Sequence, residues 1–237
     1  MKRIFSLPII SLLPKRCAYC GRVVAADVLM CNDCKGKVSR IEGEICVRCG
    51  REKKLCSCKK SSNYYSAVAA PFYFEGVVRK GMHAFKFRKS PRNARAYAFE
   101  MAETIKKRFK NKSFDYVTEV PMTAKHIRKR GYNQCALLSK ELSAETGIEH
   151  REGVLEKLYE TGNQHGLSYY LRKGNLTGVF DVVNPDDVKD KTVLLCDDIS
   201  TSGETLNECA KMLWLYGAKE VCCITVALTK PIKKNNK

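Results

Sequence analysis

The chain has 237 residues, enough for one large domain or a moderate domain carrying a small one. A hydrophobic share of 44% with a mildly negative mean hydropathy excludes a disordered, collagenous or membrane-spanning protein. Lys and Arg outnumber Asp and Glu by 43 to 25, and the resulting +18 is uneven: residues 1–60 carry +9, 61–135 carry +11 and 136–237 carry −2. That asymmetry predicts an anionic partner, nucleic acid first and anionic lipid second.

In chain order, Lys2 and Arg3 precede a short apolar run from Ile4 to Leu13. The run superficially resembles an export signal, but Pro14, Lys15 and Arg16 follow it and no small-residue cleavage site is present. It is read as an amphipathic segment packed on the body of the protein, with no transmembrane span. The expected location is cytoplasmic, with peripheral attachment at the inner membrane as the alternative.

Of thirteen cysteines, eight fall between Cys17 and Cys58 as four close pairs: Cys17/Cys20, Cys31/Cys34, Cys46/Cys49 and Cys56/Cys58. Three are C-x-x-C and the last is C-x-C. Gly21 and Gly50, which follow the first and third pairs, let the chain bend back beneath two thiolates aimed at one metal. Two pairs separated by a hairpin-sized stretch complete a tetrahedral S4 site, so the spacing predicts two structural zinc ions bound in sequence order. An interleaved pairing stays open at this point, and an iron–sulfur cluster lacks its usual spacing. Eight protein ligands leave no position for water or substrate, so these zincs fold the module and do not catalyse. Metal loading lowers the module's charge to about +5, still basic. The other five cysteines are expected to be buried thiols in a reducing compartment.

Lys59–Asn63 reads as a linker. A strand is predicted over Tyr64–Phe74, then helices over Gly76–Phe87 and Arg92–Lys110, the latter with Ala96, Phe99, Met101 and Ile105 as core contacts. A strand over Phe114–Val120 stops at Pro121, and a helix over Gly131–Gly147 turns Ala136, Leu137, Ser139 and Leu142 inward. Glu149–Asn175 is polar with weak periodicity and is expected to be mobile. Strand Thr192–Cys196, helix Glu204–Tyr216 and strand Val221–Leu228 complete the order, with Leu206, Cys209, Ala210, Leu213 and Trp214 as core. Strand alternating with helix predicts an α/β fold with a doubly wound parallel sheet. No internal repeat is apparent.

The most informative stretch begins at Val193–Cys196, an apolar run suited to a strand buried on both faces. Asp197 and Asp198 end it, followed by Ile199, Ser200, Thr201, Ser202, Gly203, Glu204 and Thr205 at the start of a helix. Carboxylates at the carboxyl end of a central strand stand where open α/β sheets bind ligands. A Ser/Thr/Gly loop at a helix N-terminus offers N–H groups and hydroxyls to an anion. A ligand with a phosphate at one end and a vicinal diol beside it satisfies both. No P-loop sequence occurs.

This stretch resembles the phosphoribosyl-diphosphate (PRPP) signature of type I phosphoribosyltransferases. The resemblance implies that Asp197 and Asp198 hold the ribose hydroxyls, directly or through Mg2+, while Ser200 to Thr205 wrap the 5′-phosphate. Ser202 replaces the usual second Thr, and Glu204 stands where a small residue is common, which predicts an outward-pointing side chain. With Arg130-Gly131-Tyr132-Asn133-Gln134 after Val120-Pro121, Gln164-His165-Gly166-Leu167 before Arg172, Asn175 and Phe180, Phe85-Lys86-Phe87 and the cysteine module, the chain resembles the ComF family from about Cys17 to Leu228. Members of that family join a double zinc ribbon to a phosphoribosyltransferase-like domain and are implicated in bacterial uptake of transforming DNA. The resemblance implies a double zinc ribbon over residues 1–60 and a phosphoribosyltransferase-like domain over 61–237.

Lys86, Arg128 and Arg130 are candidates for contact with pyrophosphate or DNA, Arg128 and Arg130 within a basic loop. His165 is given no catalytic role. The function expected is PRPP binding together with a part in DNA uptake, the basic zinc-ribbon half contacting single- or double-stranded DNA, with other competence proteins at the inner membrane face as further partners. The alternatives are an active phosphoribosyltransferase acting on an unidentified base and a structural adaptor with a vestigial PRPP site. Lys53, Lys54, Lys59 and Lys60 are the charges expected to meet DNA.

Overall fold

The computed structural model describes residues 14–56, 58, 63–87, 90–158 and 178–231. The Ile4–Leu13 run, Lys59, Lys60 and the Gln164, His165, Arg172 and Asn175 positions lie outside them. In chain order the elements are α1 (Asn32–Lys35), β1 (Ala67–Ala69), β2 (Phe72–Tyr73), α2 (Gly76–Phe87), α3 (Ala94–Arg108), β3 (Tyr116–Glu119), α4 (Ala124–Arg130) and α5 (Gln134–Thr146). Then come β4 (Leu155–Lys157), β5 (Phe180–Val182), β6 (Thr192–Ser200), α6 (Glu204–Leu215) and β7 (Glu220–Leu228). Strands β1, β7, β6 and β3 lie side by side in that order, every pair parallel, and β2 runs along β7 beyond β1. Strands β4 and β5 form a separate antiparallel pair.

Side chains alternate across the sheet, and the two faces make two cores. Leu194 and Cys196 of β6 and Cys222 and Ile224 of β7 join Met82, Tyr97 and Leu138 from α2, α3 and α5. Val193, Leu195, Val221 and Cys223 point the other way, onto Leu206, Cys209 and Leu213 of α6 and onto Leu155 and Phe180. Covering both faces is what an all-parallel sheet requires, and it explains the unbroken apolar runs of β6 and β7. The α/β class and doubly wound sheet are as expected.

Several elements differ from their sequence-based outlines. The single strand expected over 64–74 is two pieces, because Pro71 has no N–H for a ladder. The cysteine module covers this edge: the Val68 N–H donates to the Val47 carbonyl (2.9 Å), Ile41 to Pro71 (2.9 Å) and Tyr73 to Ser39 (2.8 Å). An edge closed in this way offers no template for stray pairing. Strand β6 runs to Ser200, four residues past its expected end, because β7 supplies partners as far as Leu228. Asp197 and Asp198 therefore belong to the strand itself.

The basic segment expected to be a loop is helix α4, capped by Thr123 and closed by Gly131 at φ 86°. Helix α5 starts at Gln134, since the Asn133 side chain accepts the N–H groups of Cys135 (3.0 Å) and Ala136 (3.4 Å). It buries Leu138 and leaves Leu137 and Ala136 only partly covered. Two aromatics expected in the core are outside it. Phe99 (42% exposed) falls between the buried positions of α3, and Trp214 (56% exposed) lies one step round from Leu213. Trp214 rests instead against Tyr64, ring centroids 5.6 Å apart. Within the segment expected to be mobile, Glu149 and Arg151 are tied to Val117 by backbone hydrogen bonds and β4 pairs with β5; residues 159–177 lie outside the described chain.

Candidate functional site

The eight cysteines gather as two sets of four in sequence order, Cys17/Cys20/Cys31/Cys34 and Cys46/Cys49/Cys56/Cys58, with the sulfurs of each set within 4.8 Å of one another. This excludes the interleaved pairing among the arrangements considered. The two knuckles are built alike. The N–H of Cys17 donates to the Arg22 carbonyl (2.8 Å) and that of Gly21 to Cys17 (2.9 Å); Cys46–Arg51 (2.8 Å) and Gly50–Cys46 (2.8 Å) repeat the pattern. Gly21 and Gly50 take φ of 80° and 69°, as the bend requires. Burial opposes ionisation of Cys17 and Cys46, yet backbone N–H groups from the neighbouring turn bring both thiols down to about 7. Burial and the neighbouring thiols hold Cys34, Cys49 and Cys58 above the ordinary thiol value. Four clustered sulfurs, free of disulfides, fit tetrahedral zinc.

The knuckles then diverge. Ala18 and Tyr19 of the first are buried in the core shared with α2 and α3: the Tyr97 hydroxyl donates to the Ala18 carbonyl (3.0 Å), and the Tyr19 ring meets Tyr97 and Phe72 edge-on at 5.3 and 5.8 Å. A Cβ on Gly81 of α2 would lie 2.6 Å from that carbonyl, so only glycine permits the approach. The second knuckle lies against β1 and the loop after β6. The Arg48 carbonyl accepts from the Tyr65 hydroxyl (2.8 Å) and the Asn63 amide (2.9 Å), and Gly50 approaches the Val68 carbonyl.

At the end of β6, Asp197 and Asp198 are both buried. Asp197 accepts from the Asp198 N–H (2.7 Å) and the Cys135 thiol (3.3 Å), and Lys86 of α2 reaches Asp198 at 3.0 Å. Burial first, then the adjacent Asp198 charge, pushes the Asp197 carboxyl up to about 7. Burial and the same carboxylates keep Cys135 a thiol, so it acts as a hydrogen-bond donor to the pair. Beyond the pair, residues 201–203 turn into α6 through Gly203 at φ 88°. Among the described residues the N–H groups of Thr201, Ser202, Gly203 and Thr205 meet no acceptor, while that of Glu204 is taken by the Ser202 hydroxyl (3.4 Å). Unmatched donors at the start of a twelve-residue helix are an anion-binding arrangement. Glu204 is exposed.

The structure thus brings Asp197, Asp198, Ser200–Thr205 and Lys86 to one end of the sheet. Arg130 lies on α4, donating to Gln134 (2.8 Å) with its guanidinium 5.5 Å from the Phe87 ring centroid; Arg128 is exposed. Lys53 and Lys54 are surface ion pairs with Glu44 (2.8 Å) and Glu52 (3.1 Å). The sequence reading missed Cys135, Tyr65 and Arg51 at this site. For Arg51 a signal existed: the hexapeptide C-x-x-C-G-R occurs twice, at Cys17–Arg22 and Cys46–Arg51. A buried network also went unforeseen, in which Glu119 at the end of β3 accepts from Ser139 (3.1 Å) and the Gly153 N–H (3.1 Å) and lies 3.2 Å from His150. Its groups satisfy one another and tie β3 to α5.

A cysteine module with two metal-ligand sets of four, docked on a doubly wound sheet whose acidic strand end leads into an anion loop, defines a double zinc ribbon joined to a phosphoribosyltransferase-type domain. Family models agree: a double zinc ribbon domain matches residues 9–64 and a phosphoribosyl transferase domain matches 125–237. The chain is 26% identical to competence protein F of Haemophilus influenzae (87% of this chain, 93% of that protein) and 26% identical to the DNA utilization protein YhgH of Salmonella typhi (86% of each). It is 23% identical to competence protein ComFC of Bacillus subtilis over 79% of this chain and 78% of that one. A solved structure of the allosteric regulatory enzyme of purine biosynthesis aligns at a TM-score of 0.42 and 22% identity, over 60% of this chain and 29% of that one. Over most of its length the chain is thus similar to proteins named for competence and DNA utilization, and it shares their pairing of a double zinc ribbon with a phosphoribosyl transferase domain. Among the described residues no helix is long and apolar enough to cross a membrane.

Proposed function

We propose that this protein binds PRPP with Mg2+ as part of the handling of DNA taken up by the cell. The observation that carries the reading is the continuity of two elements: a buried carboxylate pair runs directly into a loop of unmatched N–H groups at a helix start. Thr201, Ser202, Gly203 and Thr205 offer those N–H groups to the 5′-phosphate, Ser200 and Glu204 complete the loop, and the dipole of α6 favours the negative charge. Asp197 and Asp198 take the ribose hydroxyls, and their hard oxygens would hold Mg2+, which would supply positive charge toward the phosphates. Lys86 pairs with Asp198 at 3.0 Å and offers its charge to the pyrophosphate end.

The names of the relatives, competence protein F and DNA utilization protein, support the DNA setting. So does the concentration of positive charge in the first 135 residues. Lys53 and Lys54 are ion-paired, while exposed basic residues remain on the cysteine module at Arg16, Lys35 and Lys37 and on α2 and α4, where Arg79, Lys80 and Arg128 are exposed.

One experiment tests both halves. Asp197→Asn with Asp198→Asn is expected to lose Mg2+-dependent PRPP binding by about tenfold or more in calorimetry, the scale of charge-assisted contacts. The same variant should still retard DNA in gels, since the basic surface is untouched. Unchanged PRPP affinity would move the ligand elsewhere, and absence of DNA retardation by the parent protein would remove the DNA half of the reading.

A further inference from the structure

Arg51 is the residue after the second C-x-x-C-G knuckle, and its side chain leaves the zinc module altogether. Its Nε donates to the Thr229 carbonyl (2.6 Å) and its Nη2 to the Thr201 carbonyl (2.7 Å). The Thr229 hydroxyl donates to the same Thr201 oxygen (3.3 Å), and the Thr229 N–H donates to Ser200 (3.1 Å). One guanidinium therefore fastens the first peptide of the anion loop to the chain just past β7. A trans peptide is planar, its C=O and N–H pointing opposite ways. Holding the Thr201 carbonyl toward Arg51 aims the Ser202 N–H away from it, and that N–H is one of the loop's unmatched donors.

The guanidinium is held in turn by the metal knuckle. Its own backbone carbonyl accepts the Cys46 N–H (2.8 Å), which closes the turn that presents Cys46 and Cys49. A second contact runs in parallel: Tyr65 donates to the Arg48 carbonyl, and its hydroxyl oxygen lies 3.2 Å from where a Cβ on Gly203 would be. The counterpart in the first ribbon does nothing of the kind. Arg22 pairs with Asp33 at 2.6 Å on the open surface.

We propose that Arg51 is a positioning residue for the phosphate loop, and that through it the second zinc site and the PRPP site are energetically coupled. The ligand half of this rests on the PRPP reading above. Zinc at Cys46, Cys49, Cys56 and Cys58 fixes the knuckle, the knuckle fixes Arg51, and Arg51 fixes the donor geometry that a phosphate meets. Coupling of this kind is reciprocal, so bound PRPP must also retain the second zinc.

The test compares Arg51→Ala, Arg51→Lys and Arg22→Ala in the full chain. Hydrogen exchange without ligand reads the brace itself: amides of residues 201–205 should exchange faster in Arg51→Ala and stay at parent rates in Arg22→Ala, with both variants keeping two zincs. Calorimetry should show PRPP affinity reduced about tenfold in Arg51→Ala, as expected for loss of charged hydrogen bonds, and partly restored in Arg51→Lys. In a Cys56→Ser/Cys58→Ser background, Arg51→Ala should add no further loss. Release of the second zinc to a chelator should slow with PRPP in the parent protein but not in Arg51→Ala. Loop exchange unchanged in Arg51→Ala overturns the proposal, as does additivity of the two losses. A parent protein that binds no PRPP while Arg51→Ala still loosens the loop would defeat the ligand reading and leave the brace standing.

Discussion

The two zinc ribbons begin with the same hexapeptide pattern and fold into the same turn, yet they serve the molecule differently. The first inserts Ala18 and Tyr19 between α2, α3 and the sheet, so its apolar knuckle is part of the main core. The second places Val47 and Arg48 against a strand edge and sends Arg51 to the loop after β6. Metal chemistry is common to both; the two residues between the cysteines and the one after the glycine decide what each ribbon holds. Ala-Tyr with a surface Arg–Asp pair gives a hydrophobic plug. Val-Arg with a half-buried Arg gives a polar brace.

The largest effect should come from dismantling the ribbons separately. Cys17→Ser with Cys34→Ser removes a zinc site from the core, and the binding free energy of a structural zinc, about 10–16 kcal/mol, is comparable with the whole stability of a domain. Loss of the cooperative thermal transition is expected. Cys56→Ser with Cys58→Ser should release one zinc and leave that transition largely in place, with damage confined to the second knuckle and the loop it braces. Calorimetric melts with zinc analysis read the difference, and equal melts for the two variants would erase it.

A smaller effect sharpens the comparison from the ligand side, because the Asp197 carboxyl stands beside the loop that the second ribbon serves. Its folded value of about 7 lies above its ordinary 3.8. Its contribution to the stability of the ligand-free fold is therefore full below about pH 4 and is lost as pH rises through 7. Binding runs the other way, since Mg2+ and ribose hydroxyls need the charged pair. PRPP affinity should rise by up to about tenfold between pH 6 and 8, with proton release near neutrality. The Asp197→Asn variant should lose this dependence, whereas a slope unchanged by that substitution would place the titrating group elsewhere.

The smallest effect is expected at Trp214, which touches Tyr64 beside the second ribbon but contributes little to the core. Trp214→Ala should shift the urea midpoint by the equivalent of about 0.5 kcal/mol or less, as for other surface positions. A shift of several kcal/mol would mean that the outer face of α6 is part of the brace.

Much of this protein was legible in its amino-acid order. Ligand spacing in C-x-x-C and C-x-C pairs is a local property, so the four pairs could be read directly, while which pairs share a metal was decided by the folded module. The apolar run of β6, the acidic pair and the Gly203 turn into α6 are local as well. Periodicity likewise placed α2 at its observed ends, because nothing distant competes with its amphipathic pattern. What the sequence could not decide were contacts between residues far apart. Thr201 lies 150 positions from Arg51, and no local rule says which of two equivalent arginines will cross that gap. The length of β6 depended on β7 as a partner, and the closing of the β1–β2 edge depended on the cysteine module. Phe99 and Trp214 have core-type chemistry, but each falls beside its helix's buried stripe, and only the assembled layers fix where that stripe faces. Metal ligation and strand burial are set by neighbours in the chain; the support of the loop after β6 is set by neighbours in space.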